Sequence, residues 1–228
     1  GSEISQLAHT ELIAPINRAM FPGYSRLAAD PPAFRRTCID ATSAILLIVM
    51  PVSIGIAILA APFVRILLGS QWHEAVPVIQ ILAFAGAAIA LTSNTFSAYL
   101  ALGRTHLPTM ILLVRLAILV VAGYALGRSH GMLGVAWAEL LSAVGSFLVS
   151  LPVLFSALKL SVRDYLSSLW RPLVASCLMG LILYGMTRVV RSDGSFLAAA
   201  LELATCAPAG AMTYAGIVWV LWRASGCP

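Results

Sequence analysis

Residues 111–127 read ILLVRLAILVVAGYALG, and Arg115 is the only charge among them. In a water-soluble fold such a run would be a buried helix, and the arginine would need a partner in the core. The rest of the chain points to a different solvent. Of its 228 residues, 60% are hydrophobic and only 10% are charged, with a mean hydropathy of +0.94, whereas about a quarter of a soluble domain's residues carry charge. The architectural unit is therefore the membrane span of roughly 20 apolar residues.

Working outward, six runs are long enough to cross: 41–64, 75–100, 107–127, 132–157, 172–190 and 196–222. The connectors are short and rich in turn residues or charge: PGYSRLAADPPAFRR, RILLGSQWHE, LGRTH, GRSHG, KLSVRDYLSSLWR and RVVRSDG. Backbone in hydrocarbon must satisfy its own hydrogen bonds, so the runs are expected to be helices. The alternating segments of about ten residues that mark a β-barrel do not occur. The expected fold class is all-α: a polytopic transmembrane helix bundle with about six spans over 41–223 and a partial helix ahead of them. Prolines inside the runs, at Pro51, Pro77, Pro152 and Pro208, each remove a backbone donor and can kink a helix. Small-residue runs such as GAAIA at 86–90, and Gly123 with Gly127, let helices approach closely.

Lysines and arginines set the expected orientation. One side collects Arg18, Arg26, Arg35, Arg36, Arg104, Lys159, Arg163, Arg171 and Arg223; the other collects Arg65, Arg128, Arg188 and Arg191. The richer side should be cytoplasmic, which places the turn at 22–40 and the C-terminus inside. Residues 1–21 are helical in period but polar on one face, through Glu3, Gln6, Thr10 and Asn17. An interfacial helix, a soluble linker and a partial cavity-lining helix all fit; the acidic Glu3 and Glu11 favour the cavity. The chain begins with Gly rather than Met, and it is expected to start partway through a longer protein.

No catalytic constellation is visible. His9, His73, His106 and His130 lack neighbours at metal or triad spacing, and Cys38, Cys177, Cys206 and Cys227 are scattered. No metal, cofactor or enzymatic activity is expected. The net charge of +5 is dispersed at span ends, without the basic block that nucleic-acid binding requires. What remains is the charge inside the spans: Arg115, Glu139 and Glu202. Intramembrane charges commonly mark a pathway or a partner. Depth separates these three. Arg115 lies in the cytoplasmic half and leans toward that end, since helical side chains point toward the N-terminus; the two carboxylates lie nearer the outer face. A direct Arg115–Glu139 bridge is thus the less natural expectation, and snorkelling to the interface or a shared hydrated cavity the more natural ones.

Several stretches together resemble the Wzx-type oligosaccharide flippases, the polysaccharide transporter branch of the multidrug/oligosaccharidyl-lipid/polysaccharide exporter superfamily. ELIAPINRAMFPGYSRL at 11–27 is similar to a helix end and cytoplasmic turn of that family. IVMPVSIGIAILAAPFVRILLGSQWHEAVPVIQILAFAG at 48–86 is similar to the next two spans, with an LLGxxW turn at Leu67, Leu68, Gly69 and Trp72; YLALGR at 99–104 and the LWRP turn at 169–172 also fit. The resemblance implies two helical bundles around a central cavity, of which this chain resembles the C-terminal one. It implies translocation of undecaprenyl-pyrophosphate-linked oligosaccharide across the bacterial inner membrane by alternating access, with membrane lipid and the missing N-terminal bundle of the same protein as partners. Arginine suits a pyrophosphate, which nominates Arg18 and Arg115 as headgroup contacts; Glu139 or Glu202 would carry coupling ions or protons. A drug exporter of the same superfamily, or a truncated, non-transporting scaffold, are the alternatives.

Overall fold

The computed structural model describes residues 24, 27, 30–189 and 196–224. Arg18 and the partial helix at 1–21 lie outside them. The described residues form helices and their connections: α1 (Pro31–Ile58), α2 (Ala60–Leu67), a 3-10 turn (Ser70–Trp72), α3 (Ala75–Ala101), α4 (His106–Leu158), α5 (Val162–Val189) and α6 (Phe196–Ala224). Five of these helices are long and apolar enough to cross a membrane. The fold is a polytopic helical one, as the hydropathy requires.

Two helices extend beyond the apolar runs. α1 starts at Pro31, inside the stretch 22–40 that reads as a turn, and α5 starts at Val162 rather than near 172. Each extension is amphipathic. Phe34, Cys38, Ala41, Thr42 and Ile45 are buried at helical spacing while Arg36 and Asp40 stay exposed, and Tyr165 and Leu169 do the same for α5. The LWRP stretch is therefore not a turn: Pro172 lies within α5. Pro77, by contrast, occupies the first turn of α3, where its missing N–H costs nothing.

α4 cannot be one span. Its 53 residues would run about 80 Å if straight, against a hydrocarbon core of about 30 Å. The chain reverses at Gly131, whose φ of 58° and ψ of −134° leave the helical region for one that favours glycine. The limbs at 106–130 and 132–158 then run back along each other. A methyl group on Gly134 would sit 2.0 Å from the Leu126 carbonyl oxygen; one on Gly123 would lie 4.0 Å from the Ala138 Cβ, and one on Gly127 3.4 Å from a Val135 methyl. Glycines on both limbs thus permit backbone contact. At the far end Lys159 takes the left-handed conformation and the Leu160 N–H bonds back to the Phe155 carbonyl, closing the helix.

The chain divides into two compact units: residues 1–45 with 85–168, and 46–84 with 169–228. In the first, Ala85 and Ala88 of α3 pack against Ala143 of α4, the close approach that the GAAIA run anticipates. A buried relay also ties it together. The Tyr24 hydroxyl donates to Asn94 Oδ1 (3.0 Å), Asn94 Nδ2 to Thr42 Oγ1 (3.0 Å), and the Thr42 hydroxyl to the Cys38 carbonyl (2.8 Å). Asn94 is almost wholly buried, so these partners are what makes its burial tolerable. Burial raises the Tyr24 phenol well above its ordinary pKa and keeps it a donor. In the second unit α2 packs on α6, and Leu59, Leu183 and Cys206 form the centre of the core. Gly69, at φ 92°, makes the turn after α2.

The reversal predicts a graded response to methyl groups. Gly134→Ala drives a carbon into a backbone oxygen and should abolish the monodisperse detergent-solubilised species in size-exclusion chromatography. Gly123→Ala meets only ordinary contact and should elute as the parent does, its thermal midpoint corresponding to a change within about 0.5 kcal/mol.

Candidate functional site

The first unit holds the intramembrane charges of the hairpin. Arg115 Nη2 donates to Glu139 Oε1 at 2.5 Å, and this is the only ion pair among the described residues. Contrary to the expectation from depth, Arg115 neither snorkels nor points away from Glu139. The contacts along the limbs explain how they meet. With Gly123 level with Ala138 and Gly145 against Ile118, Arg115 stands level with about residue 146 and Glu139 with about residue 122. That leaves an axial offset of about seven residues, or roughly 10 Å. Each side chain extends toward its own limb's C-terminus, against the usual lean, and the two long side chains together cover the gap. The gain is mutual neutralisation where hydrocarbon is least tolerant of a lone charge.

Glu202 belongs to the second unit. It is half-buried, seven residues into α6, and pairs with no basic side chain among the described residues. Its neighbour Leu203 helps line a groove of about 490 Å³ that sequence reasoning did not anticipate. The walls come from α1, α2, α5 and α6 and are almost entirely carbon, including Pro51, Gly55, Phe63, Met179, Ala207 and Ala211. The volume lies in the range of small-molecule and cofactor sites.

Pro51 gives the groove its one conspicuous polar link. Without an N–H, it leaves the Leu47 carbonyl four residues earlier without its helical donor. The Tyr214 hydroxyl of α6 supplies that donor at 2.6 Å. Pro172 repeats the device: the Ser168 carbonyl it leaves open accepts from the Ser43 hydroxyl at 3.2 Å, both residues of the first unit. A third open carbonyl, Ala57 near the end of α1, accepts from Gln80 Nε2 at 2.9 Å. The signal was present as a proline in an apolar run, but the donor sits 163 residues from Pro51 and no local pattern announces it. Last-turn cations also fold back onto aromatic rings, Arg128 on Tyr124, Arg188 on Tyr184 and Arg223 on Trp219, which suits helix C-termini at an interface.

Several known proteins are similar to this chain. The family model described as "Polysaccharide biosynthesis protein" matches residues 1–77. The chain is 26% identical over 204 residues to the teichuronic acid biosynthesis protein TuaB of Bacillus subtilis (strain 168), covering 87% of this chain and 41% of that protein. It is 25% identical over 182 residues to the lipopolysaccharide biosynthesis protein WzxC of Escherichia coli (strain K12), covering 75% and 36% respectively. The fold matches that of the lipid II flippase MurJ, inward closed conformation, with a TM-score of 0.73 and 16% identity over 96% of this chain and 45% of that one. The chain is similar to the Wzx-type polysaccharide flippases. It spans about two fifths of the length of the curated relatives it matches.

The proline-and-hydroxyl link at the groove yields a double-mutant cycle. Tyr214→Phe should lower stability by about 0.6 kcal/mol, the average for such bonds in membranes, and by no more than about 1.7 kcal/mol. In a Pro51→Ala background, where the helix supplies its own N–H, the same change should have an effect near zero. Thermal unfolding in detergent measures both.

Proposed function

We propose that the chain forms one helical bundle of a flippase that carries undecaprenyl-pyrophosphate-linked oligosaccharide across the bacterial inner membrane by alternating access, a second bundle of the same protein completing the cavity. The C-terminus faces the cytoplasm in this reading, and Arg18 contributes to headgroup capture at the cytoplasmic mouth. The relatives' names, in teichuronic acid and lipopolysaccharide biosynthesis, support the cargo class. The observation that carries the reading is the carbon-lined groove.

A polyprenyl carrier presents two chemically separate parts. The sugar and pyrophosphate need water and cations, and the tail needs hydrocarbon throughout the crossing. A groove lined by Pro51, Gly55, Phe63 and Ala207 offers the tail a fixed seat. Since lipid is as apolar as the groove, the gain is packing and position rather than a hydrophobic driving force. The tail is thereby held in register while the headgroup changes sides. Glu202, half-buried beside the groove-lining Leu203, is proposed as an ion-coupling carboxylate. The role of Arg115 as a headgroup contact is made conditional by its pairing with Glu139.

Filling the groove tests the reading. A Cβ at Gly55 meets nothing within 4 Å, so a side chain can leave the backbone there without a clash at its first carbon. In the full-length protein, Gly55→Leu with Ala207→Leu should cut translocation of lipid-linked oligosaccharide in proteoliposomes by about tenfold or more, equivalent to about 1.4 kcal/mol of lost transition-state binding, with thermal stability retained. Unchanged translocation would overturn the groove's role. Export of cationic compounds, with no effect on lipid-linked sugar, would favour the exporter alternative.

A further inference from the structure

We propose that Arg115 and Glu139 form a proton-gated phosphate site, in which protonation of Glu139 releases Arg115 to the phosphate of a lipid headgroup. The inference rests on the flippase reading only in taking that phosphate to be the cargo's.

Three observations lead there. First, the contact uses one donor of a guanidinium that has five and one oxygen of the carboxylate, and neither side chain makes another hydrogen bond among the described residues. Second, both side chains stay about a quarter exposed, at 26% and 24%, so the pair is not sealed within the core. Third, both side chains extend against their natural lean to meet. The paired state is held by the attraction between the charges, and losing either charge removes its cause.

A proton supplied from water converts the Glu139 carboxylate to a neutral carboxylic acid. Arg115 keeps its charge, since a guanidinium does not deprotonate in proteins. An unpaired cation at that depth is costly. The side chain then returns to its ordinary direction, toward the start of its limb at His106, where snorkelling brings it to the interface and to headgroup phosphates. A phosphate binds it with two parallel charge-assisted bonds, which one carboxylate oxygen does not match. Binding and protonation are linked: a phosphate that captures Arg115 leaves Glu139 without its cation and raises its affinity for a proton, and the two effects are equal by thermodynamic necessity.

Among the described residues, neither Arg115 nor Glu139 forms an ion pair with any third group. On α3 the sole titratable group is Tyr99, bonded to the Ser150 carbonyl, eleven residues along the limb from Glu139. On α5 Tyr165 meets Phe155 near the far end of the limb. On the facing limb, Tyr124 and Arg128 are bonded to each other.

The test is binding of farnesyl pyrophosphate, and separately of phosphatidylglycerol in nanodiscs, to the full-length protein as pH falls from about 8 to about 5. Farnesyl pyrophosphate titrates too, but identically for every variant, so the comparison between variants isolates Glu139. Relative to Glu139→Gln, the parent should lose affinity as pH rises, approaching tenfold per pH unit above the carboxyl pKa, as one linked proton requires. Glu139→Gln should bind tightly throughout. The double variant Arg115→Gln with Glu139→Gln, which leaves no unpaired charge to impair folding, should bind at least about tenfold more weakly than Glu139→Gln alone. Infrared difference spectra on adding farnesyl pyrophosphate at neutral pH should show a carboxylic acid C=O band in the parent that is missing in Glu139→Gln. Identical pH profiles for parent and Glu139→Gln, or equal binding by the single and double variants, would overturn the site. Equal pH-linked binding of phosphatidylglycerol would retain the gate and overturn the cargo assignment, leaving the groove test above to decide the flippase reading independently.

Discussion

Hydrocarbon supplies no hydrogen bonds and little screening, so every polar group that enters it must be answered by another group of the protein. Much of this structure follows from that demand. Pro51 and Pro172 each leave a carbonyl open, and each is answered from another helix, by Tyr214 and Ser43. Ala57 at a helix end is answered by Gln80. Asn94 is buried because Tyr24 and Thr42 complete it. Serine and threonine hydroxyls elsewhere turn back to carbonyls of their own helix, as Thr92, Ser146 and Ser176 do. The polar residues of this apolar chain are thus largely stitches, and at Pro51 and Pro172 the stitch joins two helices.

Charge obeys the same demand at higher stakes. Arg115 is tolerable because the chain reverses at Gly131 and carries Glu139 back alongside it. In a straight helix the two would stand about 36 Å apart, beyond any contact. The reversal needs the close approach at Gly134, where only a glycine fits against the Leu126 carbonyl. A backbone detail at one end of the hairpin therefore settles the electrostatics near its middle. The proposed transport role draws on two separate features, a carbon-lined groove for a tail and a cation whose counter-ion can be removed. The groove rests on the stitch between Pro51 and Tyr214, the cation on the hairpin.

The sequence disclosed the all-helical membrane fold because hydropathy over about twenty residues is a property of one segment. It misplaced the starts of α1 and α5 for the same reason. Hydropathy reports where lipid begins, while Phe34, Cys38 and Tyr165 show helix continuing where one face still has protein to bury. The break at Gly131 lay in the GRSHG connector and was legible. The pairing of Arg115 with Glu139 is not legible from depth, since a depth estimate for each helix alone omits the reach of two long side chains toward one another. The groove was not legible, because its walls come from four helices and its polar link joins residues 167 positions apart.

The reversal of α4 is open to a direct chemical measurement. A Cβ on Gly123 would lie 4.0 Å from that of Ala138, inside the 3.5–4.5 Å range that a disulfide needs. In a full-length protein whose other cysteines are replaced by serine, Gly123→Cys with Ala138→Cys should form an intramolecular disulfide under mild oxidation in the membrane, detected as loss of both free thiols without dimer formation. A continuous helix would hold those positions roughly 22 Å apart. Two thiols that persist under oxidation would contradict the hairpin, and with it the pairing of Arg115 and Glu139.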